Sequence, residues 1–141
     1  MVSSPFSNIP EGFHILQSRG PFADLNGPFY RKLPNAGDTA TVFGFLPLER
    51  HANSLGFVHG GMISTLLDGF MAQAIAESYK RKLVTLTLNI EFKHVIPIHR
   101  WVQADIELNE IEKNVISGVA SLSSRNRTCA TAKATFRLFN R

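Results

Sequence analysis

Between Met62 and Tyr79 the apolar residues Met62, Ile63, Leu66, Leu67, Phe70, Met71, Ala74 and Ile75 recur at helical spacing, which predicts about five turns of helix. Apolar side chains cover most of its circumference, so such a helix has to be buried on nearly every side. Ser64, Thr65, Asp68 and Gln73 are its polar exceptions. A fold for this chain is therefore a way of wrapping other elements around one central helix.

The C-terminal half of the chain supplies the wrapping. After Lys80-Arg81-Lys82, Val84, Leu86, Leu88, Ile90 and Phe92 alternate with Thr85, Thr87, Asn89 and Glu91, the period of a half-buried strand. Val102 to Leu108 alternates in the same way, a polar turn spans Glu112 to Asn114, and Val115 to Ser123 reads as a third strand. In the last strand, Cys129 to Phe139, the residues Ala130, Ala132 and Ala134 share one face and leave room for a helix to approach closely. Before the helix we expect a short helix near Phe13 to Ser18, strands at Phe29 to Leu33 and Thr39 to Pro47, and a polar loop from Glu49 to Gly56. The order predicts one α+β domain over residues 1–141, an antiparallel β-sheet wrapped on one long central helix. Its first 35 residues carry no motif.

Composition narrows the function. With 44% apolar and 18% charged residues the chain is of the globular class. Its single cysteine, Cys129, can form no internal bridge and reads as a buried thiol. No Cys/His cluster suggests a metal, and no run of 18 apolar residues suggests a membrane span. With no leader-like start, the expected compartment is cytoplasmic. The net charge of +4 is scattered except for Lys80-Arg81-Lys82 and Arg125 with Arg127, which fits a small anionic ligand better than nucleic acid.

The chemistry concentrates at the start of the central helix. His59-Gly60-Gly61 would bring unobstructed backbone N–H groups to the positive end of the helix dipole, suited to an anion or an oxyanion, or would simply be a flexible entry. Asp68 lies two turns further on among apolar neighbours, where a carboxylate needs either a wet cleft or partners. Asn53 in the preceding loop can donate and accept, or merely form a turn. His59 can be a base, a ligand or an orienting group.

Asn53, then His59-Gly60-Gly61, then Asp68, within Asn-Ser-Leu-Gly-Phe-Val-His-Gly-Gly-Met-Ile-Ser-Thr-Leu-Leu-Asp, resemble the hotdog-fold acyl-CoA thioesterases of the phenylacetyl-CoA thioesterase type, in the 4-hydroxybenzoyl-CoA thioesterase superfamily. The resemblance runs from about Gly37 to Asn140. It implies a thioester hydrolase in which Asp68 is general base or nucleophile, the Gly60 N–H polarises the carbonyl, Asn53 positions substrate or water, and Thr85 stands near the Asp; His59, with no other metal-type ligands at suitable spacing, reads as orienting the loop. It also implies coenzyme A contacts at Gly61, Phe92, Lys93, His94, Pro97, Lys113, Asn114 and Arg137, with coenzyme A part of the substrate and no separate cofactor. Phe57, Met62, Phe70 and Met71 suggest an apolar acyl pocket. A hotdog hydratase or dehydratase and a non-catalytic acyl-CoA binding module are the alternatives. Gly60 and Asp68 are eight residues apart, roughly 12 Å along one helix, so a shared carbonyl requires two subunits. We therefore expect a homodimer, which the family commonly pairs into tetramers.

Overall fold

The computed structural model describes residues 9–17, 19–36 and 41–140. Strand β1 (His14–Ile15), helix α1 (Pro21–Asn26), strands β2 (Phe29–Lys32) and β3 (Val42–Phe45) and a 3-10 turn at Glu49–His51 precede helix α2 (Gly60–Tyr79). Beyond it lie β4 (Leu83–Phe92), β5 (Val102–Glu112), β6 (Val115–Ser124) and β7 (Arg127–Leu138). The strands form one antiparallel sheet in the order β1-β2-β3-β5-β6-β7-β4, curled around α2. This is the hotdog fold.

The core lies between α2 and the concave face of the sheet, and Leu66, Leu67, Met71 and Ile75 are its fully buried centre on the helix side. The alanines of β7 do what their spacing predicts, meeting the helix with small side chains. Gly118 on β6 does the same more severely: a Cβ there would stand 2.9 Å from the Met71 sulfur. Cys129 is buried, as expected.

Two expectations require correction. The N-terminal helix is not at Phe13 to Ser18: His14 and Ile15 pair with Arg31 and Tyr30 of β2, and the helix begins instead at Pro21. Proline at the first helical position lacks only an N–H that would be unsatisfied anyway, so Gly20-Pro21 is a start signal rather than a break. Ser18 lies outside the described residues, as do Gly37, Thr39 and Ala40; the described part of the expected second strand is β3.

The second correction concerns β4. Its ladder with β7 pairs Thr85 with Phe136 but Thr87 with Thr135, so Leu86 is an extra residue, a β-bulge. The bulge reverses the alternation. Leu83 and Thr85 before it, and Leu88, Ile90 and Phe92 after it, stand opposite the inward residues of β7, while Val84 and Leu86 are left 44% and 46% exposed. An uninterrupted period of two would have turned Thr85 away from the helix.

Candidate active site

The bulge brings Thr85 to Asp68. Its hydroxyl donates to Asp68 Oδ1 at 2.6 Å, short enough for a charge-assisted bond. Asp68 is half-buried and borders a cavity of about 300 Å³ whose other lining includes Leu16, Phe22, Phe29, Phe70 and Leu88. Of the four residues expected to line an apolar pocket, only Phe70 borders this one; Met62 and Met71 are buried in the core, and Phe57 bridges to Pro97.

The wall facing α2 across the cavity comes from the N-terminal segment, which carries no motif in the sequence. Arg19 Nη1 donates to the Gly69 carbonyl at 3.2 Å, and its charge interacts with that of Asp68. Partial burial, the larger influence, lowers the Arg19 pKa and the Asp68 charge raises it; a guanidinium stays charged under such opposing influences. No local signal marks Arg19, because its partners lie about 50 residues away.

The wall is anchored at its far end by His51. Nδ1 accepts from the Leu48 N–H at 3.0 Å, so Nε2 carries the proton and donates to the Asn26 carbonyl at 2.8 Å. Burial, the largest influence, pulls the His51 pKa below its ordinary value, and the neutral ring is the form these two bonds require. Arg50 donates to the Gly27 carbonyl beside it.

At the head of α2, His59 is the N-cap, and its Nδ1 accepts from the Gly61 N–H at 2.8 Å. Gly60 N–H is left with no protein acceptor among the described residues, at the positive end of a 20-residue helix. His59 thus orients, and Gly60 rather than Gly61 offers the free donor. Asn53 Oδ1 accepts from the N–H groups of Leu55 and Phe57 at 2.9 and 3.1 Å, so the turn-forming use of this side chain is present. Its Nδ2 end has no protein partner among the described residues.

The residues expected to contact coenzyme A fall into two groups. Phe92 lies beside Gly60, where a Cβ on the glycine would be 3.6 Å from its ring. Lys93 and His94 are fixed by N–H bonds to the Cys129 carbonyl, and Pro97 is bridged to Phe57, all at the end of the sheet near the α2 N-terminus. Arg137 pairs with Val84 and Val115, and the Asn114 carbonyl accepts from the Leu138 N–H, which puts Arg137, Lys113 and Asn114 at the opposite end. Eight residues of β4 separate Val84 from Phe92, roughly 25 Å of strand, so one chain does not unite the two groups.

Comparison with known proteins identifies the family and the fold. The thioesterase superfamily model matches residues 55–130, more than half of the chain. A protein of Pseudomonas aeruginosa named as an esterase is 31% identical over 133 residues, covering 93% of this chain and 98% of that one. The human acyl-coenzyme A thioesterase THEM5 is 34% identical over 79 residues; the match covers 56% of this chain and about a third, 32%, of the human protein. Among solved structures, a phenylacetic acid degradation-related protein of Ralstonia eutropha superposes with a TM-score of 0.72 at 22% identity, over 86% of this chain and 92% of that one. The chain belongs to the thioesterase superfamily, a family of thioester hydrolases built on the hotdog fold. Among the described residues, no helix is long and apolar enough to cross a membrane.

Proposed function

We propose that this protein hydrolyses acyl-CoA thioesters in a site shared by two copies of the chain, with Asp68 and Thr85 from one and Gly60, His59 and Asn53 from the other. The observation that carries the reading is a separation of labour along α2. One end presents an uncommitted N–H at Gly60, and two turns later a carboxylate anchored by Thr85 faces a largely apolar cavity. An oxyanion donor must come within about 2.7 to 3.1 Å of the carbonyl oxygen, which groups roughly 12 Å apart on one helix do not achieve together. Antiparallel pairing of two helices about a two-fold axis meets the requirement twice.

In this arrangement the acyl group enters the cavity beside Asp68 and the thioester carbonyl accepts from Gly60 N–H. Thr85 occupies Oδ1 of Asp68 and leaves Oδ2 to act. Either Oδ2 takes a proton from a water whose oxygen attacks the carbonyl carbon, or it attacks that carbon itself and water resolves the anhydride. In both routes the C–S bond breaks and coenzyme A leaves as the thiolate. Phe92, Lys93, His94 and Pro97 near one Gly60, and Lys113, Asn114 and Arg137 at the other end of a chain, are assigned to the nucleotide portion through assembly of copies.

The direct test is Asp68→Asn, which keeps the volume and removes the basic carboxylate. Thiol release from an acyl-CoA should fall by at least about a hundredfold with an unchanged melting temperature. Activity within about threefold of the parent would assign Asp68 a structural role.

A further inference from the structure

Gly69 occupies an interior position of α2 where nothing in the backbone calls for glycine. It lies in a regular helix, and a Cβ built on it would meet no atom within 4 Å. Glycine is the poorest helix former after proline, so alanine here would cost nothing sterically and would favour the helix. Gly118, by contrast, is explained by the Met71 sulfur pressed against it.

What Gly69 does border is the cavity beside Asp68. Its carbonyl holds Arg19, so the glycine stands where the N-terminal wall meets the helix. The cavity's inner end is aromatic: Phe29 and Phe70 meet edge to face with centroids 6.0 Å apart. A volume of about 300 Å³ exceeds that of an apolar cavity of roughly 150 Å³ known to take up benzene. Resting on the proposal that the acyl group enters here, we propose that Gly69 is a specificity-determining residue: its missing side chain leaves room, between α2 and the wall of Leu16, Arg19 and Phe22, for a bulky apolar acyl group, an aryl or medium-chain acyl rather than acetyl.

The test uses Gly69→Ala and Gly69→Leu in the full chain, with phenylacetyl-CoA, octanoyl-CoA and acetyl-CoA as substrates. Both substitutions should raise the melting temperature, by roughly 2 to 6 °C for a gain in helix propensity of this size. The ratio of kcat/KM for the bulky thioesters to that for acetyl-CoA should fall at least about tenfold in Gly69→Leu and less in Gly69→Ala. An unchanged ratio overturns the proposal. So does loss of assembly by size exclusion in both variants, which would mean that a neighbouring copy fills the space over Gly69. Free phenylacetate and octanoate provide a readout without hydrolysis: each should raise the melting temperature of the parent and not of Gly69→Leu. Acids that bind in this Gly69-dependent way, to a parent that releases no thiol, would sink the hydrolase reading while keeping the pocket assignment.

Discussion

The hydroxyl of Thr85 donates to the carboxylate of Asp68 across 17 residues of sequence, and it reaches there only because Leu86 is inserted as a bulge between Thr85 and Thr87. The bond does two things at once. It satisfies one oxygen of a carboxylate set among apolar helix neighbours, and it leaves the other, Oδ2, for the role proposed for Asp68.

Removing that bond should therefore weaken turnover without abolishing it. Thr85→Val keeps the branched shape and loses the donor, and kcat should drop roughly 5- to 150-fold, the equivalent of about 1 to 3 kcal/mol. Thr85→Ser should recover most of the loss. Thiol-release kinetics on the pair decide it; equal losses in both would mean that the methyl, not the hydroxyl, matters.

How far the sequence shows this site depends on the kind of contact. The central helix and the strands β5 to β7 are legible because burial imposes periods of 3.6 and 2 on long segments, and Asp68 stands out as a carboxylate on an apolar helix. The face of Thr85 is not legible in the alternation, and only the family resemblance puts it beside Asp68. Alternation assigns it outward with Thr87 and Asn89, and a one-residue bulge leaves no mark in the pattern while inverting everything before it. The wall of Leu16, Arg19 and Phe22 is hidden for a different reason: its meaning lies in contacts with Gly69 and the cavity, which no local spacing encodes. His51, read as part of a polar loop, is almost fully buried, 3% exposed, because two backbone groups satisfy both of its ring nitrogens.

Asn53 holds its loop through Oδ1, and a pair of substitutions can separate that from the part in turnover proposed for it. Asn53→Ala loses the Oδ1 acceptor for Leu55 and Phe57 and should lower stability by about 1 to 3 kcal/mol together with turnover. Asn53→Asp keeps an acceptor at that place and removes the Nδ2 donor. Its melting temperature should stay near the parent's while turnover falls; full activity in Asn53→Asp would leave Asn53 only its loop.

His51 should make stability depend on pH. Its folded pKa lies below the unfolded reference of about 6.5, so the unfolded chain binds the proton more readily between the two values. The stabilisation is complete above about pH 6.5 and is lost as pH falls through the lower, folded value. Melting temperatures at about pH 7.5 and 5.0 should differ more for the parent than for His51→Gln, which has no titrating ring. Parallel pH curves for the two proteins would remove His51 from the account.

Gly60 permits removal of a single N–H. It is the first residue of α2, the position where proline is best tolerated, and His59 already has the extended conformation (φ −60, ψ 139) that a residue before proline prefers. Gly60→Pro should melt close to the parent and lose roughly 100- to 1,000-fold in kcat, as expected for one oxyanion donor. Gly60→Ala, whose Cβ would rest 3.6 Å from the Phe92 ring in ordinary contact, keeps the donor and should lose far less. Equal losses in the two variants would point to Phe92 contact rather than to the N–H.

The claim that two chains share each site is tested most directly by mixing chains that each lack one half. Gly60→Pro and Asp68→Asn proteins, both nearly inactive alone, are co-refolded in equal amounts and assayed for thiol release. In a random mixture about half of the dimers contain one chain of each kind, and one of their two sites carries neither substitution, so roughly a quarter of the parental turnover should return. Turnover that stays at the level of the separate variants, while mass spectrometry shows mixed dimers, would contradict the account and return both groups to a single chain.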